Sequence, residues 1–137
     1  MLEFKTPQIE DKAWVDQCFK HLKTMNCDYT FGNMFVWSTE YSTKICRFKD
    51  FFICSWGMGK ETNFGIPVGK GDFKEAVEEV IKYAKANDIM PRFYGVTEAY
   101  VEMLNENFPD AFQFLYDESY GDYIYEVEKM ASLKGKK

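Results

Sequence analysis

Apolar residues along this chain recur at spacings that alternate between three-and-four and two, and the alternation predicts its elements. "LEFK" near the start reads as a short strand. "IEDKAWVDQCFKHLK" sets Trp14, Val15, Cys18, Phe19 and Leu22 on one face of an amphipathic helix. In "TFGNMFVWS" Phe31, Met34 and Phe35 share a helical face, and Thr30 stands where an N-cap hydroxyl accepts a first-turn N–H. "TKICRF" and "FFICSW", parted by Lys49 and Asp50, predict a hairpin. "FGIPV" predicts a further strand, irregular or at an edge where Pro67 cannot donate.

The second half is patterned as clearly. "GDFKEAVEEVIKYAKAND" carries an apolar stripe of Phe73, Ala76, Val77, Val80, Ile81 and Ala84, and Asp72 with Glu75 has capping-box spacing. "RFYGV" predicts a buried strand. "EAYVEMLNENF" predicts a helix capped by Thr97, and "FQFLYD" and "DYIYEV" predict two closing strands. The order is βααβββαβαββ, an α/β (α+β) layer on a mixed, twisted sheet of six or seven strands. A chain of 137 residues without repeats or an internal linker predicts one domain over residues 1–137.

Composition adds one anomaly. Phe, Tyr and Trp make up 18% of the chain, enough to fill a thick core and also present an aromatic surface. The net charge of −5 offers no positive face for DNA. Cys18, Cys27, Cys46 and Cys54 show no C-x-x-C or zinc spacing, and His21 is the single histidine, so no metal site is expected. The N-terminus is charged from its third residue, unlike a signal peptide, and no apolar run reaches membrane-spanning length. These features predict reduced cysteines and a cytoplasmic protein.

Several groups invite a chemical reading. Cys18 and His21 share a helix face, but without oxyanion donors or a third orienting group they read as a half-buried thiol beside an exposed imidazole. Asp110, Asp117, Glu118 and Asp122 form an acidic stretch that reads as solvated loop. Tyr123 and Tyr125 would point to one face of a strand and line a substrate groove or a domain interface, or else pack in the core. Asn33 is expected to bond a neighbouring backbone segment.

Five short segments in order carry a resemblance: "YTFGNMFVW" (29–37), "IPVGKGD" (66–72), "YGVTEA" (94–99), "GDYIYEVEKM" (121–130) and "LKGKK" (133–137). Together they resemble the phosphatidylglycerol lysyltransferase C-terminal-domain family, long catalogued as a domain of unknown function. The resemblance implies a bacterial protein with the GNAT-like acyl-CoA N-acyltransferase fold. It also implies two such domains in tandem, which in characterised relatives move an aminoacyl group from charged tRNA to a lipid head group. This chain looks like the first, N-terminal domain. The resemblance thus implies a second GNAT-like domain downstream as its partner, with aminoacyl-tRNA bound only through the full-length protein. The alternative is a non-catalytic binding or interaction module that keeps the fold, and a small-molecule acetyltransferase ranks third.

In GNAT-like enzymes the CoA pyrophosphate lies where "IPVGKGDF" stands here, which makes Gly69, Lys70 and Gly71 the candidate phosphate loop. Two departures oppose acyl-CoA, so no cofactor is expected. Ile66 replaces the usual Gln or Arg, and Asp72 brings a carboxylate to the helix start, where it competes for the N–H donors. The lysines of "LKGKK" around Gly135 read as a connector to a second domain. An aromatic surface near Tyr120, Tyr123 and Tyr125 would then be exposed in the isolated domain and could drive homo-oligomerisation.

Overall fold

A computed structural model describes residues 1–121 and 123–132. Asp122 and the "LKGKK" segment lie outside the described residues, as does the side chain of Tyr120. The elements are α1 (Lys12–Phe19), α2 (Phe31–Trp37), β1 (Lys44–Phe48), β2 (Phe51–Trp56), β3 (Asn63–Gly65), β4 (Val68–Gly69), α3 (Phe73–Ala86), β5 (Phe93–Tyr94), α4 (Glu98–Asn107) and α5 (Val127–Ser132). Among the described residues the sheet has five strands, is mixed and does not close.

β2 organises the sheet. It pairs β1 antiparallel in a hairpin that sets Phe48 opposite Phe51. Its other edge pairs β4 at Phe51 and Phe52, then β3 at Ser55 and Trp56. The expected strand over "FGIPV" is thus two short strands, interrupted where the buried Pro67 has no N–H to give a ladder. β5 pairs β3 in parallel, with Phe64 opposite Phe93.

Alternation along β2 builds three layers. Phe51 and Ile53 join the α3 face, where Ala76, Val77, Val80 and Ala84 are fully buried. Phe52 faces α1 and α2 with Val15, Cys18, Phe31 and Met34. Each large buried side chain contributes about 1.5–3 kcal/mol, so this alternation decides the fold more than any cap does. The expected core residues Phe31 and Met34 are buried and Phe35 is half-buried, with its ring stacked on Phe31 at 5.6 Å.

Four expectations need correction, the first being Thr97, which heads α4 without a side-chain cap bond and donates its hydroxyl to the Lys23 carbonyl at 3.5 Å. The opening strand is reduced to one bridge between Lys5 and Ile45. Neither "FQFLYD" nor the described part of "DYIYEV" pairs in a ladder, and α5 begins at Val127. Both segments have strand-forming composition, but an isolated run gains stability only from a sheet edge and a covered face. Asn33 donates to the Asp28 carboxylate at 3.2 Å instead of to a backbone carbonyl.

Candidate functional site

The loop from β4 into α3 is built from close approach of backbones. A Cβ on Gly69 would stand 2.0 Å from the Asp50 carbonyl oxygen, so the crossing against the β1–β2 turn admits only glycine. Gly71 has φ of +132°, outside the range of L side chains, and sits against the Phe51 ring. The loop donors are already engaged in part. The Lys70 N–H donates to Asp50 O at 3.3 Å, and the Asp72 carboxylate accepts the Glu75 N–H at 3.0 Å, capping α3. The Glu75 carboxylate turns to Lys49 Nζ, at 2.5–2.7 Å.

Beside this loop lies an open depression of about 460 Å³, walled by residues 20–23 and 69–71. Lys20, Lys23 and Lys70 line it and form no ion pair among the described residues, and the exposed His21 stands between the first two. The Gly69–Lys70–Gly71 segment thus faces a cationic hollow at the end of α1. Lys20 and Lys23 were not singled out from sequence, because their proximity to Lys70 depends on how α1 packs against β4.

A second feature lies where the parallel strands β3 and β5 end. In open sheets with parallel strands, ligands settle outside the carboxyl ends of those strands. Here that crevice is filled by Tyr29, which is delivered by the short 3-10 turn Cys27–Tyr29 between α1 and α2. A Cβ on Gly65 would lie 3.4 Å from the Tyr29 hydroxyl oxygen and 2.6 Å from Cys54 Sγ. A Cβ on Gly95, at φ +68°, would lie 3.2 Å from the same oxygen.

The phenol therefore occupies space that the two glycines leave free, and it takes a backbone hydrogen bond from Ile66. Burial pushes the Tyr29 hydroxyl well above the ordinary tyrosine range. Burial likewise pushes the neighbouring Cys54 thiol up to about 12, leaving it protonated and without nucleophilic character. Neither signal is visible in the sequence, since the glycines stand 30 residues apart and far from Tyr29.

The remaining candidates separate in space. The Cys18 thiol is buried and bonded to the Asp50 carbonyl at 3.4 Å, whereas His21 is exposed. Burial raises the Cys18 thiol further from ionisation. Asp117 accepts from the Ser119 N–H and hydroxyl within its own turn, and these bonds hold its carboxyl below the usual range. Asp110 and Glu118 are exposed. Tyr123 and Tyr125 are 89% and 64% exposed, so neither packs in this domain's core. Among the described residues no cluster of His, Cys, Asp and Glu could hold a metal ion, and no helix is long and apolar enough to cross a membrane.

Comparison with solved structures finds a conserved protein of unknown function from Bacteroides thetaiotaomicron VPI-5482. It is 30% identical, with a TM-score of 0.89 over 99% of this chain and 46% of that one. The chain thus spans less than half the length of this solved relative. No curated protein matches it. Residues 19–137 match the family profile described as phosphatidylglycerol lysyltransferase, C-terminal. The chain belongs to that family.

Proposed function

We propose that this domain is the N-terminal, GNAT-like half of an aminoacyl or acyl transferase resembling phosphatidylglycerol lysyltransferase. It contributes scaffold and one wall of a cleft, while the reacting groups come from a second GNAT-like domain downstream. The observation that carries the reading is Tyr29, whose ring fills the crevice at the carboxyl ends of β3 and β5. A filled crevice cannot seat an acyl chain. The Lys70 and Glu75 N–H donors are already engaged, by the Asp50 carbonyl and the Asp72 carboxylate, which favours the same reading of a half without an acyl-CoA site.

Charged tRNA is engaged only by the longer protein, acting in the cytoplasm. A second reading, an interaction module without catalysis, draws support from the exposed aromatic segment near the C-terminus. Lysyl transfer from charged tRNA to phosphatidylglycerol vesicles separates the two. The longest reading frame containing this domain should transfer lysine, and residues 1–137 alone should not. Transfer by the short chain would overturn the scaffold assignment, and no transfer by either would favour the interaction module.

A further inference from the structure

Among the described residues, segments 112–116 and 123–130 carry apolar side chains that this domain does not cover. Leu115, Tyr116 and Tyr123 are each 89% exposed, and Phe114, Ile124, Tyr125, Val127 and Met130 are also exposed. Isolated exposed side chains are ordinary on a protein surface, but two clusters of large apolar side chains this close in the chain mark a contact. Phe112 anchors the run, with its ring 6.0 Å from Phe93 and 5.6 Å from Phe108. Phe114 lies 6.4 Å beyond Phe112.

Read as strands, both segments have one apolar face and one mixed face. Phe112, Phe114 and Tyr116 would share one face, with Leu115 beside Gln113 on the other. Tyr123 and Tyr125 would share one face, with Ile124 beside Glu126 on the other. A solvated strand face is polar throughout, whereas the three aromatics of one segment and the two tyrosines of the other each make an apolar face that needs a cover, and Leu115 and Ile124 add apolar surface on the second side. The flanking charges are mostly acidic, Asp117, Glu118, Glu126 and Glu128 against Lys129, which disfavours an anionic lipid surface as the cover.

We infer that residues 112–116 and 123–126 are interdomain strands, completed when the remainder of a longer chain folds against this domain and supplies a sheet edge in cis. The inference rests on the two-half reading above. Its support is the Bacteroides thetaiotaomicron structure. That structure matches 99% of this chain, which includes most of the exposed run, and more than half of its own length lies beyond the match. A solved relative of this fold therefore carries at least as much chain again outside the matched part, enough to supply a cover.

Hydrogen exchange read by mass spectrometry tests this on the longest reading frame and on residues 1–137 in parallel. Backbone amides of 112–116 and 123–126 should exchange at least about a hundredfold more slowly in the longer chain. Leu115→Lys with Ile124→Lys should abolish that protection. The same pair should leave the melting of residues 1–137 unchanged, because both side chains are exposed in this fold. A longer chain that melts as a single domain like residues 1–137 would remove the two-half reading and this inference with it. A second folded domain with unprotected amides would sink strand completion alone. Protection that appears in the short chain as its concentration rises would assign the partner to a second copy and overturn the cis arrangement.

Discussion

The Tyr29 hydroxyl and Gly95 meet so closely that a Cβ on the glycine would stand 3.2 Å from the phenolic oxygen. Gly65 makes the same allowance from the opposite strand, at 3.4 Å. Gly65 at the end of β3 and Gly95 just past β5 thus make room for one ring, and the crevice beyond the ends of these paired strands is filled by the protein's own side chain.

This relation predicts a graded response to substitution at Tyr29. Tyr29→Phe keeps the ring and strands the Ile66 N–H, which should cost about 1–3 kcal/mol. Tyr29→Ala leaves a cavity and should cost about 3–5 kcal/mol. Urea unfolding of both variants checks the order. Equal stability of Tyr29→Phe and the parent would mean that the hydroxyl contributes nothing to holding the strands.

Two glycines should answer oppositely to alanine. Gly32 lies in α2 with nothing within 4 Å of its missing Cβ, so Gly32→Ala should stabilise by about 0.5–1 kcal/mol. Gly69→Ala would drive a methyl into the Asp50 carbonyl and should cost about 3 kcal/mol, at the upper end for overpacking. Thermal melts of the pair decide it. A tolerated Gly69→Ala would show that the loop has room for a ligand that the present geometry denies.

How much of this was legible beforehand differs by element. α3 was readable throughout, because its stripe of Phe73, Ala76, Val77 and Val80 and its Asp72 cap agree with one another. The α1 and α2 faces and the β1–β2 hairpin followed from equally local signals. The closing strands did not, because "FQFLYD" and the described part of "DYIYEV" have strand composition but no partner edge among the described residues. Tyr29 as the plug of the crevice was beyond sequence reading. Its meaning depends on Gly65 and Gly95, which only the parallel pairing of β3 with β5 brings together. The phosphate-loop residues were found by resemblance, and their geometry shows why glycine stands there without invoking a ligand.

At the α3 N-terminus, Asp72→Ala should cost about 1 kcal/mol and Asp72→Asn only a few tenths, since the amide oxygen still accepts the Glu75 N–H. Circular dichroism melts of both variants give the comparison. A loss for Asn as large as for Ala would mean that charge at the helix start matters more than the cap bond.

Stability should fall at both ends of the pH scale for identifiable reasons. Burial alone would raise the Asp11 carboxyl, but hydrogen bonds from Lys5, the Trp14 indole and the Gln8 N–H outweigh it and hold the group below its usual value. A depressed carboxyl contributes stability above its unfolded value, and that stability is lost as pH drops through the folded one. Asp11→Asn should flatten this acid limb. The raised Tyr29 hydroxyl and Cys54 thiol act in the other direction. Their contribution is present below the unfolded values and is lost as pH rises through the folded ones. Tyr29→Phe should therefore flatten the alkaline limb in urea titrations across pH, and an unchanged limb would remove Tyr29 from that account.

The central claim is that this half offers scaffold and no acyl-CoA site, and calorimetric titration of acetyl-CoA into residues 1–137 tests it most directly. The account predicts no saturable heat with the parent chain, because Tyr29 fills the crevice and Asp72 holds the Glu75 N–H at the loop. A dissociation constant of about 1–10 μM, equivalent to roughly 7–8 kcal/mol of binding free energy, would contradict it if Lys70→Glu abolished that binding.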